Sequence, residues 1–141
     1  MNAKVIFGST TGMTEAVAGK IAQALGCEAV NINGAGAAAF DAELLVLGSS
    51  TWGVGDLQDD WAVKLDEVKP NFAGKKVAVF GLGDSQGFAD SFCVAAETIA
   101  DAAKDAGATL VGDVLKLDDT NEADQTDGKI AAWVETLKAA L

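Results

Sequence analysis

Apolar residues in this chain fall into two alternating patterns, which are short continuous runs and longer stretches with a helical repeat. The run Leu44-Leu45-Val46-Leu47 is apolar throughout, which is typical of a strand covered on both faces. Val17, Ile21 and Leu25 recur at the spacing of one helix face. The strands predicted from these patterns are 4–7, 29–32, 44–47, 76–82 and 109–117. The predicted helices are about 12–25, 59–68, 89–106 and 126–141.

Five strands alternating with helices predict an α/β fold, a doubly wound five-stranded parallel sheet with helices on both faces. No repeat, low-complexity segment or boundary interrupts the pattern, so we expect one domain over residues 1–141. Ligands of such sheets bind beyond the carboxyl ends of the strands, near the switch point. The loops after strands one, three and four should therefore meet at one site.

The loop after the first strand has the chemistry of a phosphate site. Val5-Ile6-Phe7 runs into a hydroxyl-rich turn, and a helix opens directly behind it. The first free N–H groups of a helix point at an anion, and the helix dipole favours it. Hydroxyl groups add further donors, and Gly12 permits close backbone approach. The candidate phosphate ligands are Ser9, Thr10, Thr11, Gly12, Met13 and Thr14.

The segment 48–61, read as a long loop after the third strand, places Trp52 among glycines and small polar residues. Such a tryptophan is suited to cover a flat aromatic ligand. The alternative is a loop anchor packed against its own domain. Trp61 follows the helical periodicity with Leu65, so we expect it in the core.

The loop after the fourth strand, residues 81–90, contributes a second aromatic residue, Phe88, to the same end of the sheet. Two aromatic side chains from neighbouring strands can sandwich a planar ring. The alternative is that Phe88 belongs to the core. The Gly81-Leu82-Gly83 pattern is a weak signal, because a dinucleotide fingerprint would have to follow the first strand.

Composition narrows the classes of function. The chain of 141 residues has 10 lysines, no arginine, no histidine and a formal net charge of −11. That negative charge argues against binding to nucleic acid or to anionic membrane surfaces, and it permits binding to basic proteins. Acidity that serves only solubility is the alternative. Without histidine, serine–histidine and cysteine–histidine nucleophiles are excluded.

Cys27 and Cys93 belong to no C-x-x-C motif, so each is predicted to be a small buried hydrophobe in a reducing compartment. The same spacing predicts neither a zinc site nor dithiol chemistry. The residues Met1-Asn2-Ala3-Lys4 lead directly into a strand, which predicts no signal peptide. No apolar run approaches the length that spans a membrane. We therefore expect a cytoplasmic protein.

Three segments in this order resemble the flavodoxin family along the whole chain. Val5 to Ile21 is similar to the family's phosphate signature. The segment 51–61 is similar to the loop with its inner aromatic residue, and the segment 81–92 to the loop with its outer one. The chain departs from the family in having Phe88 where a tyrosine is usual, and the direct passage from Asp113 to Asp118 resembles the short-chain form.

The resemblance implies the strand order 2-1-3-4-5 and bound FMN at the switch point, both of which are known features of the family. It implies that the ring lies between Trp52 and Phe88 and that FMN cycles through a neutral semiquinone and a hydroquinone. The peptide Gly53–Val54 would turn its carbonyl group toward the flavin as the first electron arrives. The residues implied around the ring are Ser50, Thr51, Trp52, Gly53, Val54, Gly83, Asp84, Gly87, Phe88 and Asp90.

The implied function is a low-potential, one-electron carrier, not an enzyme, that serves basic-faced redox proteins such as a flavodoxin reductase. We expect a monomer. Acidic residues near the ring would lower the second potential, although Asp59 and Asp90 also suit helix caps. The alternative is a small FMN-dependent oxidoreductase resembling a quinone reductase. A receiver domain is disfavoured because the first and third strands end in Phe7-Gly8 and Leu47-Gly48 and provide no acidic cluster.

Overall fold

A computed structural model of the chain describes residues 3–8, 13–32, 40–52, 56–57, 61, 67–83, 94–112, 114–118 and 127–139. Its strands are β1 (Ala3–Gly8), β2 (Glu28–Asn31), β3 (Leu44–Trp52), β4 (Asp56–Leu57), β5 (Lys76–Gly83), β6 (Thr109–Leu110) and β7 (Leu115–Asp118). Its helices are α1 (Met13–Leu25), α2 (Val94–Asp105) and α3 (Asp127–Ala139), with a 3-10 helix at Lys69–Phe72.

The strands form one sheet in the order β2-β1-β3-β5-β6. In addition, β7 pairs with the C-terminal half of β5, and β4 pairs with β3. All pairings are parallel except that of β3 with β4. Because β6 and β7 together form the fifth parallel strand, the predicted doubly wound sheet with the order 2-1-3-4-5 is confirmed.

Helices cover both faces of the sheet, and the two faces share the strand residues alternately. Leu44 and Val46 pack in the core cluster with α1 and α3, whereas Leu45 and Leu47 pack in the cluster with α2. The predicted buried faces are confirmed, since these helix positions are all buried: Val17, Ile21, Leu25, Ile130, Val134 and Leu137. The opposite positions Glu15, Lys20 and Gln23 are exposed.

The two central strands run further than predicted. β3 continues through Gly48 and Ser49 to Trp52, and β5 continues to Gly83. The loops assigned from Gly48 and from Gly81 were therefore wrong at their starts. The physical reason is pairing on both sides of β3, since Gly48 lies opposite both Phe7 and Phe80. Small polar residues, which suggested a loop, are stable in a strand whose backbone groups all find partners.

The fifth strand, predicted as one run over 109–117, is interrupted. Leu110 pairs with Val77 and Leu115 pairs with Phe80, so five steps on the outer strand match three steps on β5. The two additional residues form a bulge, and Gly112 within it has a φ of +66°. The apolar alternation of the segment does not reveal this break.

The remaining boundaries lie close to the predictions. β1, β2 and α1 begin and end within one residue of the expected positions. Trp61 and residues 67–68 are helical, as the helix predicted over 59–68 requires, and the 3-10 helix follows with Pro70 in its first turn. For α2 and α3, positions 89–93 and 140–141 of the predicted helices lie outside the described residues.

Candidate functional site

Three strands end at the same edge of the sheet. The last residue of β1, Gly8, lies opposite Ser49, and β3 extends three residues beyond that point to Trp52. β5 ends at Gly83, which pairs with the last residue of β7, Asp118. The connections that follow β1, β3 and β5 therefore start side by side, as the site predicted from the sequence requires.

The phosphate segment connects the end of β1 to the start of α1. Four residues, 9–12, separate Gly8 from Met13, the first residue of α1. Ser9, Thr10, Thr11 and Gly12 lie outside the described residues, whereas Met13 and Thr14 form the first turn of the helix. The five Cα–Cα steps from Gly8 to Met13 span at most about 18 Å, so the N–H groups of that turn lie near the carboxyl edge of the sheet. This is a donor set suited to an anion.

The aromatic segment after β3 is a hairpin and not the long loop that was predicted. Thr51 pairs with Leu57 and Trp52 pairs with Asp56 in an antiparallel register, so only residues 53–55 join the two strands. Ser50, Thr51 and Trp52 thus belong to a strand. Gly53 and Val54 lie in the three-residue connection, outside the described residues.

Trp61 lies in the core, as its periodicity predicted, and it has a specific hydrogen bond. The side chain is fully buried in the cluster between α2 and the sheet. Its Nε1–H donates to the carbonyl oxygen of Gly48 at 2.6 Å. A buried indole N–H needs an acceptor, so the existence of such a bond could have been expected from the sequence, but its partner could not.

Two glycines inside β3 and β5, Gly48 and Gly81, allow close packing. A Cβ on Gly48 would overlap the ring of Phe80, and that ring also contacts the ring of Trp133 in an edge-on arrangement at a centroid distance of 6.3 Å. A Cβ on Gly81 would lie 2.6 Å from the Cβ of Ala96 in α2. The first glycine of the Gly81-Leu82-Gly83 pattern is thus explained by the helix that crosses it. Ser49, between these two contacts, is completely buried.

Of the ring residues predicted after the fourth strand, only Gly83 is described, and it is the last residue of β5. Asp84, Gly87, Phe88 and Asp90 lie outside the described residues, and the stacking of Phe88 stays a prediction. No group of three or more residues suited to hold a metal ion occurs among the residues that the structure describes.

Cys27 lies at the opposite end of the molecule, between the last turn of α1 and the start of β2. It is half-buried and packs against the core, which agrees in part with the prediction of a buried hydrophobe. Burial raises the pKa of its thiol above 9.0, and the negative charge of Glu28 raises it further. Cys93 lies outside the described residues.

Within the described parts of the chain, every helix is too short or too polar to cross a membrane.

Comparison with known proteins identifies a family to which this chain is similar. A sequence profile of the family described as flavodoxin matches residues 5–133. The flavodoxin of Trichodesmium erythraeum is 38% identical, with 93% of this chain and 92% of that protein covered. Flavodoxin 1 of Azotobacter vinelandii is 34% identical, with 95% and 94% covered.

Solved structures agree with the fold. A Fusobacterium nucleatum flavodoxin bound to flavin mononucleotide superposes with a TM-score of 0.89 at 22% identity, over 100% of this chain and 99% of that one. Oxidised flavodoxin 1 of Bacillus cereus superposes with a TM-score of 0.80 at 28% identity, over 98% of both chains. Both superpositions extend over at least 98% of this chain, so its fold is like that of these two structures.

Proposed function

Because the chain belongs to the flavodoxin family, we propose that it is a one-electron carrier that binds FMN without a covalent bond. The observation that carries the proposal is the family match over residues 5–133 together with the meeting of β1, β3, β5 and the start of α1 at one edge. The F. nucleatum relative of the same fold is bound to flavin mononucleotide. All described elements from Ala3 to Ala139 join or cover one sheet, which supports a single domain.

The residues present fit the two ends of this cofactor. The phosphate group would accept hydrogen bonds from the first turn of α1 and from the hydroxyl-rich connection before it. The proposed phosphate ligands are Ser9, Thr10, Thr11, Gly12, Met13 and Thr14. The ring would lie against the β3–β4 hairpin and the loop after β5. The proposed ring residues are Ser50, Thr51, Trp52, Gly53, Val54, Gly83, Asp84, Gly87, Phe88 and Asp90.

FMN supplies the one-electron chemistry, and the chain sets the potentials. Trp52 and Phe88 would exclude water from the two faces of the ring. Backbone groups would meet its polar edge, and the carbonyl group of the Gly53–Val54 peptide would accept a hydrogen bond from the ring nitrogen that takes up a proton. Asp56, Asp84 and Asp90 would disfavour added negative charge, so the second one-electron couple would be strongly reducing.

We expect the partners to be redox proteins with basic faces, one of them a donor of the flavodoxin-reductase type. The net charge of −11 supports this, because long-range attraction between opposite charges speeds association. The proposal includes a monomer that works in the cytoplasm and has no catalytic turnover of its own. Rapid oxidation of a reduced nicotinamide nucleotide by the isolated protein would contradict this part.

The test is stepwise anaerobic reduction of the FMN-loaded protein, followed by its visible spectrum. Two resolved one-electron steps would support the carrier. A single two-electron step would contradict it and favour a small FMN-dependent oxidoreductase resembling a quinone reductase. Failure to bind FMN would overturn the site itself. As a control, the Asp41→Asn variant should be reduced in the same way as the wild-type protein, because Asp41 is exposed and precedes β3, at the opposite end of the strands from the proposed site.

A further inference from the structure

The hydrogen bond of Trp61 joins two segments that are distant in the sequence. Its indole Nε1–H donates to the carbonyl oxygen of Gly48, 13 residues earlier, at 2.6 Å. Gly48 lies four residues before Trp52 on the same strand. The bond therefore ties Trp61, a helical residue beyond the hairpin, to the strand that enters the hairpin.

Gly48 is a firmly held acceptor. It pairs with Phe7 on one side and with Phe80 on the other. The ring of Phe80 fills the space beside its Cα. Trp61 is held equally well, since its side chain is fully buried in the same cluster as Leu47 and Phe72.

The β3–β4 hairpin lies between these two fixed points. On its first side, Trp52 continues directly from Gly48 along β3. On its second side, Leu57 pairs with Thr51, and only residues 58–60 separate Leu57 from Trp61. The four Cα–Cα steps from Leu57 to Trp61 span at most about 14 Å, so the end of β4 lies within that distance of Trp61.

We infer that Trp61 is a positioning residue for the cofactor, whose hydrogen bond to Gly48 holds the β3–β4 hairpin in the arrangement that binds the flavin ring. The inference rests on the proposed function and deepens it. Loss of the indole N–H would leave a buried carbonyl group without this donor and would release the end of the hairpin. Cofactor binding would then have to order the hairpin, and the free-energy cost of this ordering would weaken the binding of the cofactor.

The first experiment compares Trp61→Phe with Trp133→Phe, both loaded with FMN. Phenylalanine keeps a buried ring and removes the N–H. Trp133 is also buried, on the other face of the sheet and in contact with Phe80, so it controls for the loss of an indole. The measured quantities are the FMN dissociation rate, the separation of the two one-electron potentials, and the amide exchange of Thr51, Trp52, Asp56 and Leu57.

We expect Trp61→Phe to release FMN at least about fivefold faster, the lower end of typical coupling between sites. The separation of the potentials should change, and the four hairpin amides should exchange faster. Trp133→Phe should leave all three quantities near their wild-type values. Equal effects in both variants, or no effect in Trp61→Phe, would overturn the inference.

A second measurement uses the wild-type protein and stays decisive if Trp61→Phe does not fold. If the Trp61 bond opens only when FMN has left, exchange of its indole N–H slows about tenfold for each tenfold rise in free FMN. Exchange of the Trp133 indole N–H should not follow this dependence. The same response of both indoles, or none from Trp61, would overturn the inference. Failure of the proposed function is seen separately, as wild-type protein that binds no FMN, and it would overturn the positioning role with it.

Discussion

The ring of Phe80 occupies the position that a Cβ on Gly48 would need, in the middle of the two central strands. Neither residue can change alone without disturbing the other. Phe80 is completely buried and also contacts Trp133, so its ring has no empty space to move into.

We expect Gly48→Ala to lower the free energy of unfolding by about 1–3 kcal/mol, the usual cost of overpacking a core. Denaturant unfolding followed by circular dichroism measures the change. Gly19→Ala is the matched control, because Gly19 is exposed within α1 and nothing lies within 4 Å of an added Cβ. There the same substitution should stabilise the protein by about 0.5–1 kcal/mol.

The Gly48→Ala, Phe80→Leu double variant tests the cause. Leucine shortens the side chain that meets the added methyl group, so the double variant should be more stable than the sum of the two single changes predicts. Residues in contact commonly show such coupling at about 0.5–3 kcal/mol. Strict additivity would show that the overlap at Phe80 does not cause the loss.

Replacement of Gly53 by alanine should reduce the separation of the two one-electron potentials of the FMN-loaded protein. A Cβ at this position restricts the change of turn type on which the Gly53–Val54 peptide would depend. Potentiometric titration with spectral detection measures both steps. Gly19→Ala serves again as the control, and an unchanged separation in Gly53→Ala would remove the peptide from the proposal.

Neutralisation of Asp84 should raise the second potential. One charge at about 10 Å, with an effective dielectric constant of about 20, contributes about 1.7 kcal/mol. For one electron that corresponds to about 70 mV. The shift in Asp84→Asn should shrink as salt is added, because the screening length is about 10 Å at 0.1 M. Asp41→Asn should shift the potential far less, since Asp41 precedes β3 and the strand separates it from Trp52 by about 25 Å.

The thiol of Cys27 should react slowly with iodoacetamide at pH 8.5, compared with the unfolded chain. Burial raises its pKa, so the reactive thiolate is scarce in the folded protein. The raised pKa of Cys27 also makes the free energy of unfolding depend on pH. Because the pKa is higher in the folded than in the unfolded state, the contribution of this thiol to stability is fully present below pH 9.0 and is lost as the pH rises through the folded-state value. Cys27→Ala should abolish this part of the pH dependence, and Glu28→Gln should speed alkylation slightly. Mass spectrometry of the labelled peptides measures the rates.

The sequence predicted the fold because apolar runs and helical repeats carry it directly. Apolar residues such as Leu45 and Ile21 indicate which positions are buried, and the pattern of buried positions determines how strands and helices pack in layers. The length of β3 was missed because Gly48 and Ser49 owe their place in a strand to partners on β1 and β5. Pairing of this kind is not visible in local composition.

The candidate site was predicted unevenly for a related reason. The position of α1 behind β1 follows from the order of elements, and it was correct. The hairpin formed by β3 and β4 was read as a loop, because a two-residue strand has no periodicity to detect. The bond from Trp61 to Gly48 depends on where a buried indole comes to rest, which only the packed structure reveals.

The bulge in the fifth strand has a consequence for the behaviour of the protein at high concentration. An uninterrupted edge strand offers a row of free backbone groups to which another chain can add, and such addition is a common start of aggregation. Here the outer edge is divided into β6, with two residues, and β7, with four, while β2 at the other edge has four. Restoring a continuous fifth strand by deleting the two additional residues would create a longer template for self-association.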